Sequence, residues 1–208
     1  MSPSLVPRDQ RESAFASILS ELVDRVAGAR AAVLVDSIGE TVDYSGRADP
    51  FAMRVTAAHW RIVLDQARAQ PSLAATQTLA VRAERKSYVV SALPEGYGLV
   101  LVLSRGSSVI SYRRAIVACT HRLAKEAGWF SGHPDWSAVD VLTDPQGRPE
   151  SLRVANGQRP LEILGAVVGG LGRGERSWRV RLDTGREATL VREPRGARGY
   201  WYTDELLG

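Results

Sequence analysis

The spacing of apolar residues predicts an ordered series of helices and strands over residues 9–127. Apolar positions three or four residues apart predict three helices, at residues 9–27, 50–70 and 107–127. Short apolar or alternating runs predict the strands between them, at residues 31–35, 76–83, 87–93 and 97–103, with one more strand just after the turn at 36–39. The order is helix, two strands, helix, three strands, helix. It favours an α/β fold in which helices flank a five-stranded sheet.

Two of the predicted strands differ in how they should be covered. Residues 98–103 are apolar at nearly every position, which is typical of a strand buried on both faces at the centre of a sheet. In residues 76–83, small or polar residues alternate with apolar ones that include Leu79 and Val81. Such alternation predicts an edge strand, whose free backbone groups another copy of the chain could pair with.

The middle helix has two apolar stripes, although packing on one sheet needs only one. At 100° per residue, the first stripe holds Phe51, Val55, Ala58 and Ile62, and the second, about opposite, holds Met53, Ala57, Trp60 and Leu64. We predict that the second stripe packs against the same stripe of a second copy in a homodimer, and that the edge strands of the two copies pair. The predicted dimer contacts are Met53, Ala57, Trp60, Leu64, Leu79 and Val81. In the alternative, part of this stripe is covered by the C-terminal region or stays partly exposed.

Two sets of basic residues are candidates for contacts with another partner. Arg54, Arg61 and Arg68 line one edge of the middle helix at seven-residue spacing. Arg114, Arg122 and Lys125 share a face of the last helix. The alternative for the set on the last helix is an ordinary solvated face.

The chain is predicted to divide near residue 130. Glycines and a proline in residues 128–135 indicate a helix stop and a linker, and short β-like runs with turn signals follow. Asn156-Gly157 is typical of a two-residue hairpin loop. We predict a domain at 1–130, a linker at 131–137 and a small all-β domain at 138–208, which is a barrel of five or six strands.

The predicted barrel has one candidate nucleic-acid surface, made of Trp178, Arg179, Arg181 and Trp201. Aromatic rings beside arginines can stack on single-stranded bases. The alternative is that the aromatic side chains fill the barrel core, and the balanced charge of residues 131–208 argues against strong phosphate binding. Residues 147–149, 160–164 and 178–182 resemble small β-barrel modules associated with bacterial lesion-bypass polymerases.

Composition excludes several classes of function. The 208-residue chain carries a net charge of +4 and a single cysteine, Cys119, so neither an intrachain disulfide nor a cysteine-based zinc site can form. The three histidines lack metal-ligand spacing, and no nucleophile elbow or phosphate-loop motif is present. We therefore predict no cofactor, no metal and no enzymatic activity. The absence of a signal pattern and of a long apolar run favours a cytoplasmic protein with no membrane span.

The ordered set of motifs in residues 12–127 resembles the roadblock (dynein light-chain) family. The resemblance rests on the helix followed by Ala-Ala-Val-Leu-Val-Asp-Ser-Ile-Gly-Glu-Thr-Val at 31–42, on Lys-Ser-Tyr-Val-Val at 86–90, on the strand at 97–103 and on an arginine-containing last helix. It implies homodimers formed through the third strand and second helix, and no catalytic residues. It also implies a regulator or scaffold whose partner is a small Ras-like GTPase or another roadblock protein, as in gliding-motility polarity. The alternative function is a nucleic-acid- or polymerase-associated accessory protein acting through the barrel.

Overall fold

The computed structural model describes residues 12–107, 113–129, 136–155, 157–167, 174–195 and 198–204. The chain folds into two compact units, which divide between residues 131 and 132. Each unit has its own hydrophobic core. The first five residues of the predicted linker, 131–135, lie outside the described residues.

The first unit contains three helices and five strands in the predicted order, which confirms the predicted fold class. Its elements are α1 (Ala14–Arg25), β1 (Ala29–Val35), β2 (Thr41–Gly46), α2 (Pro50–Arg68), β3 (Thr78–Arg82), β4 (Lys86–Ala92), β5 (Gly98–Ser104) and α3 (Arg113–Glu126). Short 3-10 turns follow α2 and β4.

All pairings in the five-stranded sheet are antiparallel, in the order β2-β1-β5-β4-β3. The central strand is β5, and its residues from Gly98 to Leu103 are all buried, as its continuous apolar run predicts. β3 lies at one edge of the sheet, which confirms the prediction from its alternating pattern.

Side-chain oxygen atoms cap the N-termini of both α1 and α2. Ser13 Oγ accepts a hydrogen bond from Phe15 N at the start of α1, and the same hydroxyl donates to the carboxylate of Asp43, a buried residue of β2. Asp49 accepts from Ala52 N at the start of α2, where a proline takes the first helical position. Both caps satisfy backbone N–H groups that a helix leaves free at its start.

The sheet is covered on both faces. Ala31, Val33 and Val35 belong to the core that α2 closes, and α2 contacts β1, β2, β4 and β5. Ala32 and Leu34, which alternation turns to the opposite face, are equally buried, and α1 contacts β1, β2 and α3. Helices therefore protect both sides of the central strands.

The second unit is a closed, antiparallel six-stranded barrel, in agreement with the predicted all-β fold. Its strands are β6 (Ser137–Thr143), β7 (Pro149–Val154), β8 (Gly157–Ala166), β9 (Arg176–Leu182), β10 (Glu187–Arg195) and β11 (Arg198–Thr203). They close in the order β10-β11-β6-β7-β8-β9. Each of these strands therefore pairs with a neighbour on either side.

Candidate interaction surfaces

The structure reverses the predicted roles of the two stripes of α2. Met53, Ala57 and Leu64 are 3%, 0% and 0% exposed, and they pack with apolar side chains of β1, β4 and β5 in the core of their own chain. They have almost no exposed surface left for a second copy of the chain to contact. The assignment of these three residues to a dimer interface was wrong, because this stripe is the one that packs on the sheet.

The other stripe of α2 is exposed. Phe51, Val55 and Ile62 are 74%, 53% and 52% exposed. The β1–β2 turn lies against the same side of the helix, since a Cβ on Gly39 would be 3.6 Å from Ala58 Cα, and that turn carries Ile38, itself 77% exposed. We call Phe51, Val55, Ile62 and Ile38 the α2 stripe. A contiguous exposed apolar surface is a mark of an interaction site.

The turn that carries Ile38 is held by its own aspartate. Asp36 Oδ1 accepts from Ile38 N at 3.0 Å and from Glu40 N at 2.8 Å. This is the turn role that an Asp before Ser-x-Gly predicts, and it commits the carboxylate to backbone groups.

A second half-buried apolar surface runs from α2 to the free edge of the sheet. The Trp60 ring lies over the Tyr88 ring of β4, with centroids 4.8 Å apart. Tyr88 pairs with Val81 of β3, and Leu79 lies on the same face two residues away. We call Trp60, Tyr88, Val81 and Leu79 the β3 edge. Trp60, Leu79 and Val81 stay predicted dimer contacts, because each is partly exposed.

Arg61 does not offer its charge to a partner, contrary to the prediction. Its side chain is buried, and its guanidinium donates to the carbonyl oxygen of Gly96 and to the carboxylate of Asp65. Arg54 and Arg68 are half-buried on the same helix and stay predicted partner contacts.

On α3, Arg122 is engaged within the chain. It pairs with Glu21 of α1, and Glu21 also pairs with Arg25 at 2.7 Å. Burial would raise the pKa of Glu21, but the hydrogen bond from Arg122 and the charges of Arg25 and Arg122 outweigh it, so that pKa is lowered. Arg122 therefore joins α1 to α3. Arg114 is half-buried and Lys125 exposed, and both stay predicted partner contacts.

The barrel does not present its tryptophans as a stacking surface. Trp178 and Trp201 are buried in the barrel core, with ring centroids 5.2 Å apart. The predicted nucleic-acid surface was therefore wrong for both rings. Arg179 and Arg181 lie on the outer face, where both pair with Glu187 and Arg181 also pairs with Glu162. These pairs neutralise the positive charge that phosphate binding would use.

The α2 stripe is the surface that sequence reasoning placed wrongly. Both stripes of α2 are apolar and both repeat with the period of a helix. Periodicity alone therefore predicts burial equally well for either stripe. Side-chain size does not separate them either, because each stripe carries one alanine, Ala57 in the buried stripe and Ala58 in the exposed one.

Comparison with solved structures relates the first unit to known folds. The fold of MglB from Myxococcus xanthus matches with a TM-score of 0.50 and 15% identity, covering 57% of this chain and 98% of that one. A roadblock/LC7 domain from Streptomyces avermitilis gives a TM-score of 0.48 at 17% identity, covering 54% and 97%. The gliding protein MglB from Thermus thermophilus gives 0.47 at 21%, covering 62% and 98%. No protein-family model matches the sequence, and comparison with characterised protein sequences finds no match.

The first unit thus has a roadblock-type fold, which confirms the resemblance seen in residues 12–127. The likeness is one of fold, and it does not extend to the barrel. Among the described residues, no helix combines the length and apolar character needed to cross a membrane.

Proposed function

We propose that this protein is a non-enzymatic regulator or scaffold that forms a homodimer through its roadblock-type unit and docks a second protein. The observation that carries the proposal is that α2 exposes an apolar stripe while its opposite face fills the core. Contact of these phenylalanine, valine and isoleucine side chains with water is unfavourable in free energy, and a bound partner would remove that contact.

The homodimer would form at the β3 edge. β3 leaves one row of backbone N–H and C=O groups unpaired, and a second β3 could extend the sheet to ten strands. Trp60, Val81 and Leu79 are half-buried beside that row, so a twin would complete their burial. This surface keeps three of the six predicted dimer contacts.

The partner would bind at the α2 stripe. Trp60 and Ile62 lie about 160° apart around the helix axis, so the stripe faces away from the β3 edge. A dimer built on β3 would leave it open. The roadblock resemblance implies the class of partner, a small Ras-like GTPase or another roadblock protein. Arg54, near the start of the stripe, could add a contact to an acidic partner surface.

The dimer is tested by Trp60→Asp in the full chain. A carboxylate buried in the interface without a partner should convert the dimer to a monomer in light scattering. Gln66→Asp, which adds the same charge at an exposed site on the same helix, should keep the dimer. A monomeric wild-type protein, or an unchanged mass for Trp60→Asp, would overturn the proposed interface.

The docking surface is tested by affinity capture with the tagged protein, using lysate loaded in parallel with GDP or a GTP analogue. We expect a Ras-like GTPase retained in one nucleotide state by wild type and Gln66→Asp, and lost by Val55→Asp, which should stay dimeric. Equal capture by Val55→Asp would exclude the α2 stripe. If only nucleic-acid-associated proteins were captured, and nuclease released them, the regulator proposal would fail.

A further inference from the structure

The second half of β8 has a neighbouring strand on one side only. β7 has six residues and β8 has ten, and their pairing runs from Val154 with Gly157 to Ser151 with Pro160. Beyond Pro160, residues 161–166 pair with β9. On their other side, no strand in the described part of the chain pairs with them. The backbone N–H and C=O groups on that side form a free strand edge, and we call residues 161–166 the β8 edge.

The chain that leads into β7 runs away from this edge. Pro149, the first residue of β7, has no backbone N–H to donate to a neighbouring strand. The residues before it form a closed turn, in which Asp144 N donates to the carbonyl oxygen of Arg148 at 3.0 Å and Asp144 Oδ1 accepts from Arg148 N at 2.8 Å. This turn leads back to β6, on the side of β7 that faces away from β8, so it does not prolong the pairing with β8.

The β8 edge exposes apolar side chains. Ile163 and Leu164 are 40% and 38% exposed, although both belong to a strand of the barrel. Ile163 pairs with Val180, a fully buried residue of the barrel core, so its side chain lies on the inward-facing row. Leu164 lies at the register shift between Ile163 and Gly165, which is a β-bulge. Exposed apolar side chains beside unpaired backbone groups are the features that favour pairing with a strand of another chain.

The outer face of the barrel beside this edge carries a negatively charged cluster. Glu162 pairs with Arg181 at 2.8 Å, and Arg181 also pairs with Glu187 at 3.5 Å. Arg179 pairs with Glu187 and with Asp204. The cluster therefore has three carboxylates and two guanidinium groups. Its most exposed member is Glu162, at 62%, which lies on the β8 edge itself. Opposite charges on neighbouring strands attract, so a basic residue fits beside Glu162.

We propose that the β8 edge binds an extended segment of another protein by strand addition. The segment continues the line of β7, and hydrogen bonds between the two backbones hold it. It places a basic residue beside Glu162 and an apolar residue beside Ile163, so basic and apolar residues alternate along it. A second copy of β8 does not have this chemistry, because residues 161–166 contain no basic residue. The site is independent of the α2 stripe and of the β3 edge.

Calorimetric titration of the full chain with three synthetic peptides tests the proposal. The first is an octapeptide of alternating lysine and valine. The second has the same sequence with every peptide nitrogen methylated, and the third has glutamate in place of lysine. We expect saturable binding of the first peptide and binding at least about tenfold weaker for the other two, because they lack the backbone donors or the complementary charge. Amide hydrogen exchange then locates the bound peptide, since exchange at the β8 edge should slow.

Variants of β8 test the position of the peptide. Ile163→Lys puts a charge at the apolar position and should weaken binding about tenfold or more. Gln158→Lys adds the same charge at an exposed position of β8 that pairs with β7, and should change binding less than about twofold. Glu162→Gln should weaken binding about threefold. Circular dichroism and thermal unfolding establish that each variant is folded. Ala166→Lys, at another exposed position of the β8 edge, replaces Ile163→Lys if that variant is not.

Several results would overturn strand addition at the β8 edge. They are absence of binding by the lysine–valine peptide, equally strong binding of either of the other two peptides, slowed exchange only outside the β8 edge, and equal weakening by Gln158→Lys and Ile163→Lys. Light scattering of the free protein tests a second copy as the occupant. If Ile163→Lys lowered the mass in solution, the β8 edge would be a contact between copies of this chain, and the proposed partner segment would be excluded.

Discussion

Arg61 of α2 donates two hydrogen bonds to the backbone carbonyl oxygen of Gly96, from Nε at 3.2 Å and from Nη2 at 2.7 Å. Gly96 lies in the β4–β5 connection, where it and Glu95 both have positive φ, 78° and 55°. A non-glycine residue in that region is strained, so the connection needs support from its surroundings. Gly98 allows the close approach, because a Cβ there would lie 2.9 Å from Arg61 Cδ. Arg61 thus fastens α2 to the end of the sheet.

Arg61→Ala should therefore destabilise the protein. It leaves a carbonyl without its charged donor and opens space beside Gly98, and we expect a loss of about 2–3 kcal/mol in the free energy of unfolding. Chemical denaturation monitored by circular dichroism measures this loss. Arg68→Ala, a half-buried arginine in the last turn of the same helix, is the control and should cost less than about 0.5 kcal/mol. Equal effects of the two substitutions would contradict a clamping role for Arg61.

The two faces of α2 predict opposite responses to truncation. Leu64→Ala removes a fully buried side chain and should cost about 2–5 kcal/mol of stability. Ile62→Ala, two residues away on the α2 stripe, should cost less than about 0.5 kcal/mol, yet weaken partner binding. Urea denaturation of both variants, at a concentration where wild type is a single oligomeric species, provides the comparison. If Ile62→Ala lowered the free energy of unfolding more than Leu64→Ala did, the face of α2 that carries Ile62 would be the one packed on the sheet.

Glu21 makes stability depend on pH in the acid range. Its pKa in the folded chain lies below the ordinary 4.5, so the unfolded chain binds a proton more readily. The stabilisation is present above 4.5 and is lost as pH falls through the lowered folded value. Because Glu21 and Arg122 are both partly exposed, we expect less than about 1 kcal/mol. The difference in unfolding free energy between wild type and Glu21→Gln should shrink on acidification. A constant difference would exclude this linkage.

Cys119 should be unreactive in the folded protein. Burial raises the pKa of its thiol to about 12, so almost no thiolate is present near neutral pH. Labelling with a thiol reagent at pH 8 should be slow in buffer and fast in denaturant. Fast labelling of the native protein would show that α3 opens readily from α1. Because Cys119 is the only cysteine, no second thiol complicates the measurement.

Much of this architecture follows from local pattern. The central position of β5 follows from its unbroken apolar run, and the edge position of β3 from its alternation, because burial on one or both faces leaves a direct trace in the sequence. The barrel was predictable for a related reason, since short strands with turn signals have few other ways to protect their edges. The positions of Trp178 and Trp201 in the sequence did not predict whether their rings are buried. An aromatic residue on a strand fits the same sequence pattern whether its ring points into or out of a barrel.

The sequence by itself determined the order of elements, the central and edge strands and the division into an α/β unit and a β unit, because these depend on periodicity and turn chemistry within short segments. Only the tertiary structure decided which face of α2 meets the sheet. Both stripes are apolar, so the choice depends on contacts made by distant residues, such as the hydrogen bonds from Arg61 to Gly96 and the packing of Ala58 on Gly39. Local sequence patterns indicate which residues of a segment are buried, whereas the residue that a side chain contacts depends on the whole fold.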